Sequence, residues 1–467
     1  MTSFFHDYVN NCEFSNFLTD NGLFYRCQHQ HELPNPMLRS LFLTYLPPEQ
    51  ALKREKFEQV IKCEAQLKKI FMISFKQSSS LLDIETAYSE LSGTDSDVIR
   101  IPTALRHGGG VGVTPAFFQF LAAWSRIRPR PTLRLYSSEA PSAALDAFAQ
   151  EPHGMAALYF APTLADAADK NQPSRVGLAY AVPRIEAMQA GRFRETMHGR
   201  GAFLACFAGA RNEYLLPFYS KGKSDSLRGR EDFARVTEQL ILACAPNAIR
   251  KFLPHHIKAI TNLIYELFRN TDEHAQLDEN GHRYHRNMRG LMAKFISRSK
   301  STISSEATGQ DIPQNLFMLR TLANSRIHKD TNGSPRAVAD AAFLELTVFD
   351  TGPGLARRWM SKNAPDKTLE DISIDEEMKF VLNCFEQHAT TKDSDVSGLG
   401  LGLVVSALRD VKAFLRLRTG RICLFQDFSS TTNSAFSPKH WIKERPELAL
   451  APGASYSIII PLSRGME

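Results

Sequence analysis

The chain has 467 residues, 43% of them hydrophobic and 23% charged, and its formal net charge is +6. This length is too great for one small core, so two or three domains are expected, and the composition is that of an ordinary soluble globular protein. So slight a net charge excludes a general nucleic-acid-binding character and requires any basic partner surface to be local.

The N-terminus and the cysteines bear on the compartment. The first seven residues lack a basic region followed by an apolar core, and no apolar run approaches the ~18 residues that a membrane span needs. The seven cysteines are scattered and form no C-x-x-C pair, which is typical of reduced thiols. Cys12 and Cys27 could instead bind a metal with His29 and His31, but metal sites usually have tighter, paired spacing. We therefore expect a cytoplasmic protein without a membrane span.

Residues 1–97 are expected to be mainly helical. From Gln50 to Phe71 apolar residues recur at the spacing of an amphipathic helix, and Pro47-Pro48 just before this run is a helix-entry signal. The heptads are too short for a long coiled coil, which favours a helix packed on its own domain over a dimerising one.

Residues 98–246 have the pattern of a central α/β domain. Short apolar strands alternate with helices, among them a helix from Thr114 to Ile127 and a strand at Ala156–Phe160. This alternation implies a mainly parallel sheet. The glycine-rich turn His107–Gly112 could cradle a phosphate at a helix N-terminus, but it matches neither G-x-G-x-x-G nor the P-loop, so a flexible turn is the simpler interpretation.

A long helix is predicted from about Pro254 to His274. Within it Glu266 and Asn270 are four residues apart, so they share one helix face. The carboxylate can polarise a water or hydroxyl, and the amide oxygen can ligate Mg²⁺ that bridges phosphates. A surface helix with incidental polar groups is the alternative, but these two residues interrupt an apolar pattern.

The run that follows, over residues 283–300, is basic. Met288, Leu291, Met292, Phe295 and Ile296 lie at helical spacing within it, which predicts a basic amphipathic helix. Such a helix can bind nucleic acid or an acidic membrane. It can also pack its apolar side on its own domain and leave the charges in solvent.

The next strong pattern is the alternating run Phe343–Phe349, which predicts a half-buried strand and ends at Asp350-Thr351-Gly352-Pro353-Gly354. A carboxylate at a strand end can accept a hydrogen bond from an exocyclic amine such as that of adenine. The two glycines let the backbone turn sharply and lie close to a ligand. Alone, this pattern is most often just a turn.

Downstream, a probable lid precedes a second glycine segment. Asp375–His388 is predicted helical and is followed by Ala389-Thr390-Thr391-Lys392. Gly398, Gly400 and Gly402 then open a further helix, where bare backbone N–H groups can bind phosphates. Tyr456–Ile460 is a β-branched closing strand.

Three segments in this order, Glu266–Ala275, Asp350–Gly354 and Gly398–Leu403, resemble the N box and the two glycine boxes of the GHKL ATPase superfamily. That superfamily includes the DNA gyrase B subunit, MutL proteins, the ninety-kilodalton heat-shock chaperones, histidine kinases and anti-sigma-factor kinases. The resemblance covers roughly the C-terminal half. It implies a two-layer α/β sandwich with a mixed sheet (the Bergerat fold) over 247–467, with an insertion at 276–342 and a lid at 355–397.

The resemblance also implies roles for individual residues. Glu266 occupies the general-base position of the hydrolysing members, where many histidine kinases have asparagine, and no histidine-box sequence lies upstream. His274 matches a histidine of the anti-sigma-factor kinases, with phosphate contact and helix capping both open. Lys392 could pair with the γ-phosphate or lie in solvent. The other implied contacts are with Mg²⁺ (Asn270), adenine (Asp350, Ser455) and the nucleotide more generally (Gly352, Gly354, Thr390, Thr391, Gly398, Gly400, Leu401, Gly402).

We therefore expect a Mg²⁺-dependent ATP-binding protein, a slow ATPase that acts as a nucleotide-gated switch. The alternatives are a protein serine/threonine kinase of the anti-sigma-factor kinase type and a non-hydrolysing ATP-gated binding module in a regulatory or defence assembly. We expect no transducer domain of the gyrase B or MutL kind after the closing strand. The output is expected to pass through the N-terminal half, through the basic insertion to nucleic acid, or through a protein partner or second copy.

Overall fold

The computed structural model divides the chain into two compact units, residues 1–71 and 72–467. In the first unit Phe14–Thr19 (β1) and Gly22–Cys27 (β2) form an antiparallel pair, where a mainly helical segment was predicted. The helix predicted at 50–71 lies outside the described residues, as do Cys12, His29 and His31. In the second unit the structure describes residues 72–93, 96–106, 110–135, 141–165, 171–224, 226–247, 252–305, 312–324, 328–329, 335–336, 340–386, 400–429 and 436–462.

The strands of the second unit have two to four residues each up to residue 173, and its longer strands all follow from residue 201. Its helices are α1 (Leu81–Gly93), α2 (Val113–Ile127), α3 (Pro141–Ala149), α4 (Pro152–Phe160), α5 (Arg175–Leu178), α6 (Val182–Gln189), α7 (Arg230–Cys244), α8 (Pro254–His274), α9 (Lys300–Ser305), α10 (Ile312–Asn324), α11 (Leu355–Asn363), α12 (Ile374–Asn383) and α13 (Gly400–Asp410). Short 3₁₀ turns lie at Ala179–Ala181, Phe193–Glu195 and Leu369–Asp371. Its strands are β3 (Ile73–Ser74), β4 (Val98–Ile101), β5 (Thr132–Leu135), β6 (Thr163–Ala165), β7 (Asn171–Pro173), β8 (Gly201–Phe207), β9 (Met288–Ser299), β10 (His328–Lys329), β11 (Pro335–Arg336), β12 (Asp340–Asp350), β13 (Phe414–Gly420), β14 (Ile422–Asp427), β15 (Lys439–His440) and β16 (Ala451–Pro461).

The smaller sheet has the order β3-β4-β5-β6-β7, with β3 to β6 parallel and β7 antiparallel at the edge. A mainly parallel sheet was predicted here. One predicted strand is wrong, because Ala156–Phe160 belongs to helix α4. A run of consecutive apolar residues carries no periodicity and fits a buried helix as well as a buried strand. Pro152 at the first position starts the helix instead.

The larger sheet has the order β15-β14-β13-β16-β12-β9-β8, and every described pairing in it is antiparallel. This differs from the mixed sheet that the resemblance implies. Strand β8 precedes residue 246, where we predicted a domain boundary, so the sheet draws on residues from both sides of that position. The two sheets belong to one compact unit.

The basic run at 283–300 is not the amphipathic helix that we predicted, because residues 288–299 form strand β9 between β8 and β12. Residues 288–294 and 296 of the strand are buried, so both faces of this part lie inside the protein and no alternation of apolar and polar residues marks it. The buried charges are compensated within the protein. Arg289 lies 3.3 Å from the Asp272 carboxylate, and Lys294 lies 3.9 Å from that of Glu345.

Helices cover both faces of the larger sheet, one layer more than in a two-layer sandwich. On one face α2 and α10 pack through aromatic contacts, with the Phe118 and Phe349 ring centres 4.7 Å apart and those of Phe317 and Phe414 5.5 Å apart. Helix α8 covers the opposite face, where its Asp272 reaches Arg289 of β9. Successive strand residues point to opposite faces, so Asp350 lies on the α8 side while its neighbour Phe349 lies on the α2 side.

At the N-terminus of α2, a carboxylate of the protein itself accepts a hydrogen bond from the backbone. Gly112 has a φ of +77°, a conformation that glycine adopts without strain, and its N–H donates to the Glu345 carboxylate over 2.7 Å. A carboxylate at a helix N-terminus satisfies the site that a bound phosphate would otherwise occupy. The preceding residues 107–109 lie outside the part of the chain that the structure describes.

Candidate functional site

Helix α8 forms the wall of the candidate site. Pro254 stands at its first position, and Ile260, Leu263, Ile264 and Leu267 are buried at the spacing of one apolar stripe. Residues spaced by four lie above one another on a helix, so this stripe leaves Glu266, Asn270 and His274 together along an adjoining line. The helix therefore presents a carboxylate, an amide and an imidazole on one side.

The side chain of Glu266, which belongs to α8, lies against the start of α13. This side chain is only 3% exposed, and a Cβ atom built on Gly400 would lie 2.9 Å from its Oε2 atom. Its other oxygen accepts a hydrogen bond from Arg230 of α7, and Arg269 lies 3.8 Å away. Buried carboxylates need such partners, since an unpaired buried charge is costly. The predicted general base is thus ion-paired and in contact with the second glycine segment.

Asn270 and His274 follow on the same side of the helix. Asn270 is half-buried, and its amide forms no hydrogen bond with any residue that the structure describes. The Arg358 Nε atom of α11 donates to His274 Nδ1 over 3.3 Å. Because α11 begins directly after the first glycine segment, His274 connects α8 to that segment. Asn270 retains its amide oxygen for a ligand.

Asp350 and the glycines after it lie at the C-terminal end of α8. The Gly352 N–H donates to the Asp350 Oδ1 atom over 2.9 Å. A Cβ atom on Gly352 would lie 2.6 Å from the Cα atom of Ala275, so only glycine fits there. Gly354 has a φ of +89°, in the left-handed region. The first glycine segment therefore packs against the same helix that contacts the second.

The Asp350 carboxyl group is buried. Burial raises the pKa of Asp350 from 3.8 to about 7, against the opposing effects of the Gly352 and Ala454 N–H groups and the charge of Arg126. A donor that approached this carboxylate would stabilise its ionised form. The group is therefore poised to change its protonation when a hydrogen-bond donor binds.

Behind Asp350 lies a buried polar cluster. Arg289 stands opposite Asp350 in the β9–β12 ladder and donates to the Tyr219 hydroxyl over 2.8 Å. Tyr219 in turn donates to Asp272 of α8. Burial raises the pKa of Asp272, while Arg289 opposes that effect. The cluster joins β9, the neighbour of the strand that carries Asp350, to the helix that carries Glu266 and Asn270.

Ser455 is not where the resemblance puts it. In the β12–β16 ladder it stands opposite Phe349 and so faces α2, away from Asp350. The neighbouring Tyr456 stands opposite Val348 and shares the Asp350 face. Burial raises the pKa of Tyr456, and the charge of Asp350 adds to that effect. A shift of one residue along a strand reverses the face, which the sequence pattern did not resolve.

Several other site neighbours were missed from sequence. Arg126 donates to the carbonyl oxygen of Thr351, and its guanidinium lies 4.0 Å from the centre of the Tyr284 ring. It comes from α2, on the far face of the sheet, and reaches the site around the end of β12. Arg126 and Arg230 are distant in sequence from the three motifs, and Arg358 lies four residues beyond Gly354. No local pattern marks them.

The remaining predicted site residues divide into two groups. Leu401 is buried in the first turn of α13, and Gly402 beside it is half-buried. Thr390, Thr391, Lys392 and Gly398 lie outside the described residues. The described part of the predicted lid ends at residue 386, and in it Trp359 of α11 stacks on Phe380 of α12 with ring centres 4.5 Å apart.

Over the described ranges, no three His, Cys, Asp or Glu side chains are grouped so as to hold a metal ion. No helix among those described has both the length and the apolar character to cross a membrane. No family model, curated protein or solved structure matches the chain.

Proposed function

We propose that the larger unit binds ATP with Mg²⁺ along the side of α8 that carries Glu266, Asn270 and His274 and hydrolyses it slowly, as a nucleotide-gated switch. One observation carries the proposal. The two glycine segments, far apart in sequence, meet the same helix about two turns apart, Gly400 at Glu266 and Gly352 at Ala275. A purine site at one end and a phosphate site at the other are what such an arrangement can provide.

Each described residue has a part in this proposal. The Asp350 carboxylate accepts a hydrogen bond from the adenine amine, and the N–H groups at the start of α13 face the phosphates. The free amide of Asn270 supplies one oxygen to Mg²⁺, whose remaining ligands are phosphate oxygens and water. Bound Mg²⁺ neutralises charge on the phosphates.

Glu266 polarises the attacking water. In the structure it is paired with Arg230, which occupies one of its two oxygens. The Arg230 side chain is 45% exposed, so it can exchange the carboxylate for a phosphate oxygen when the triphosphate enters. Hydrolysis is then expected only with the nucleotide fully seated.

The experiment is a comparison of wild type with Glu266→Ala. ATP binding should persist in the variant while release of inorganic phosphate is lost, because the side chain acts on the water and not on the base or ribose. Equal phosphate release by both proteins contradicts the assignment. In a second experiment the protein is incubated with radiolabelled ATP and cell extract. Transfer of the label to a protein would support the kinase activity instead of hydrolysis. ATP binding without any turnover would favour a gated binding module.

A further inference from the structure

A cavity of about 840 Å³ lies away from α8, between α4, α6 and the loop that follows β8. Its walls include Met155 and Tyr159 of α4, Ile185 of α6 and Phe207 of β8. Small-molecule sites typically enclose ~300–1,000 Å³ and are lined mainly by apolar and aromatic side chains. The cavity has the size and lining of a ligand site.

The mouth of the cavity exposes apolar surface. Val182 is 44% exposed and Leu216 is 46% exposed, and both line it. The two walls are joined where the Leu216 N–H donates to the Gln189 Oε1 atom over 3.0 Å. Apolar residues grouped at an opening commonly mark a binding surface, because a ligand that covers them removes them from water.

Three charged side chains line the cavity, those of Glu186, Arg192 and Arg211. Arg192 lines the cavity but is paired with Glu195 over 2.9 Å. Arg211 also lines it and is exposed, and its guanidinium has no partner among the residues that the structure describes. Glu186 lines it too, and no ion pair joins it to Arg211 in the described part of the chain. An apolar cavity beside a free guanidinium suits a molecule with an apolar body and one anionic group.

Hydrogen bonds connect the cavity wall to the candidate nucleotide site. The Tyr159 hydroxyl accepts from the Asn287 N–H over 3.0 Å and donates to the Ala208 carbonyl over 2.9 Å. The Asn287 side chain accepts from the Thr351 hydroxyl over 2.8 Å and donates to the Ala275 carbonyl. Thr351 directly follows Asp350, so three side chains span from the cavity to that turn.

We infer that this cavity is a regulatory site for a small amphipathic anion, such as a medium-chain carboxylate or an aromatic sulfonate. Its occupancy fixes the Tyr159 ring, which through Asn287 orders the turn at Thr351 and so tightens nucleotide binding. A first ligand that orders a shared element reduces the ordering cost for the second. The evidence for the site is the cavity alone, whereas its effect on ATP binding rests on the proposed function.

The site is tested on the full-length protein with 8-anilinonaphthalene-1-sulfonate, followed by fluorescence and displaced by decanoate. Val182→Glu and Arg211→Glu should each lower the affinity for both probes by about tenfold or more, because each places a negative charge at the mouth of the cavity. Val176→Glu and Arg130→Glu are the matched controls. Val176 is 45% exposed on α5, Arg130 is exposed, and neither lines the cavity.

Saturable binding that is lost in both mouth variants and kept in both controls is the expected result. Absence of saturable binding to wild type overturns the site, and so does equal binding by the mouth variants, since the probe would then lie elsewhere. These measurements need no nucleotide. They stand even if the proposed function fails.

The connection is tested by calorimetric titration of ATP with and without saturating decanoate. Decanoate should tighten ATP binding by about threefold or more in wild type and have no effect in Asn287→Ala, which removes the middle side chain of the chain of hydrogen bonds. An unchanged ATP affinity in wild type overturns the connection and leaves the site. Absence of ATP binding in any condition overturns the connection and the proposed function together.

Discussion

The Oε2 atom of Glu266 lies 2.9 Å from the position that a Cβ atom would occupy on Gly400. Glu266 of the segment Glu266–Ala275 therefore reaches Gly400, which lies in the second glycine segment and is the first residue of α13. Backbone N–H groups at a helix start bind anions, and a carboxylate beside them can act on water next to a bound phosphate. This contact is the structural basis of the proposed hydrolysis.

Gly400→Ala should lower ATP turnover by about tenfold and leave ATP affinity within about threefold. The added methyl displaces the Glu266 carboxylate, which is the flexible end of a side chain, so the fold should tolerate it. Steady-state phosphate release and calorimetry measure the two effects. Gly93→Ala is the control, because nothing lies within 4 Å of a Cβ atom built there. Unchanged turnover in Gly400→Ala would show that this contact is not used.

Gly352→Ala should reduce the free energy of unfolding by roughly 1–3 kcal/mol. Here the new Cβ atom would lie 2.6 Å from the Cα atom and 2.7 Å from the carbonyl oxygen of Ala275, and backbone atoms cannot move aside as a side chain can. Urea denaturation measures the loss, again with Gly93→Ala as control. Equal stability of the two variants would mean that the first glycine segment does not pack on α8 this closely.

Asp350→Asn should make the nucleotide-free protein more stable than wild type at pH 8. The folded-state pKa is about 7 and the ordinary value is 3.8, so between these limits the folded protein holds a proton that the unfolded chain has released. The carboxyl group therefore destabilises the fold increasingly as pH rises from about 4 to 7, by a few kcal/mol in full. Urea midpoints from pH 5 to 8 should show the advantage of the variant growing with pH. A gap that is constant with pH contradicts the raised pKa.

Ser455→Ala should leave ATP affinity within about twofold, whereas Tyr456→Phe should weaken it about threefold to tenfold. Ser455 faces α2, and Tyr456 shares the Asp350 face with a buried hydroxyl that has no partner among the described residues. Calorimetry on both variants makes the comparison. The reverse order of effects would place Ser455 at the nucleotide, as the resemblance implies.

Glu85→Ala should destabilise the protein by roughly 3–5 kcal/mol. Glu85 of α1 accepts two hydrogen bonds from Arg418 of β13, at 2.8 and 3.0 Å, and both side chains are buried. Its loss leaves a buried guanidinium charge without its anion. Glu90→Ala on the exposed side of the same helix is the control and should change stability little. Equal effects of the two would contradict the buried contact between α1 and the larger sheet.

The elements with clear periodicity were predictable from sequence. Pro254–His274 is a helix with an apolar stripe, and the alternating run before Asp350 is strand β12. The closing strand at Tyr456–Ile460 was also predicted and extends over residues 451–461. In each case, local pattern and tertiary burial agree.

The failures have a common cause. Residues 288–294 of strand β9 and all residues of helix α4 except Tyr159 are buried, so neither segment has a solvent-exposed face to set a period, and each was given the wrong structure. Arg289 can be buried because it pairs with Asp272 and Tyr219. These partners are distant from it in sequence, so the local pattern did not predict its burial. For the site, the three motifs identified α8 and the Asp350 turn. The arginines that reach them from other elements were beyond sequence reasoning.

The most direct test of the central claim is calorimetric titration of Mg²⁺–ATP into wild type and Asp350→Asn at pH 8. The account predicts one saturable site in wild type and an affinity lowered by about 100-fold in the variant, which loses a buried charged acceptor but remains folded. Absence of binding to wild type, or equal affinity of the two proteins, would contradict an adenine site at Asp350.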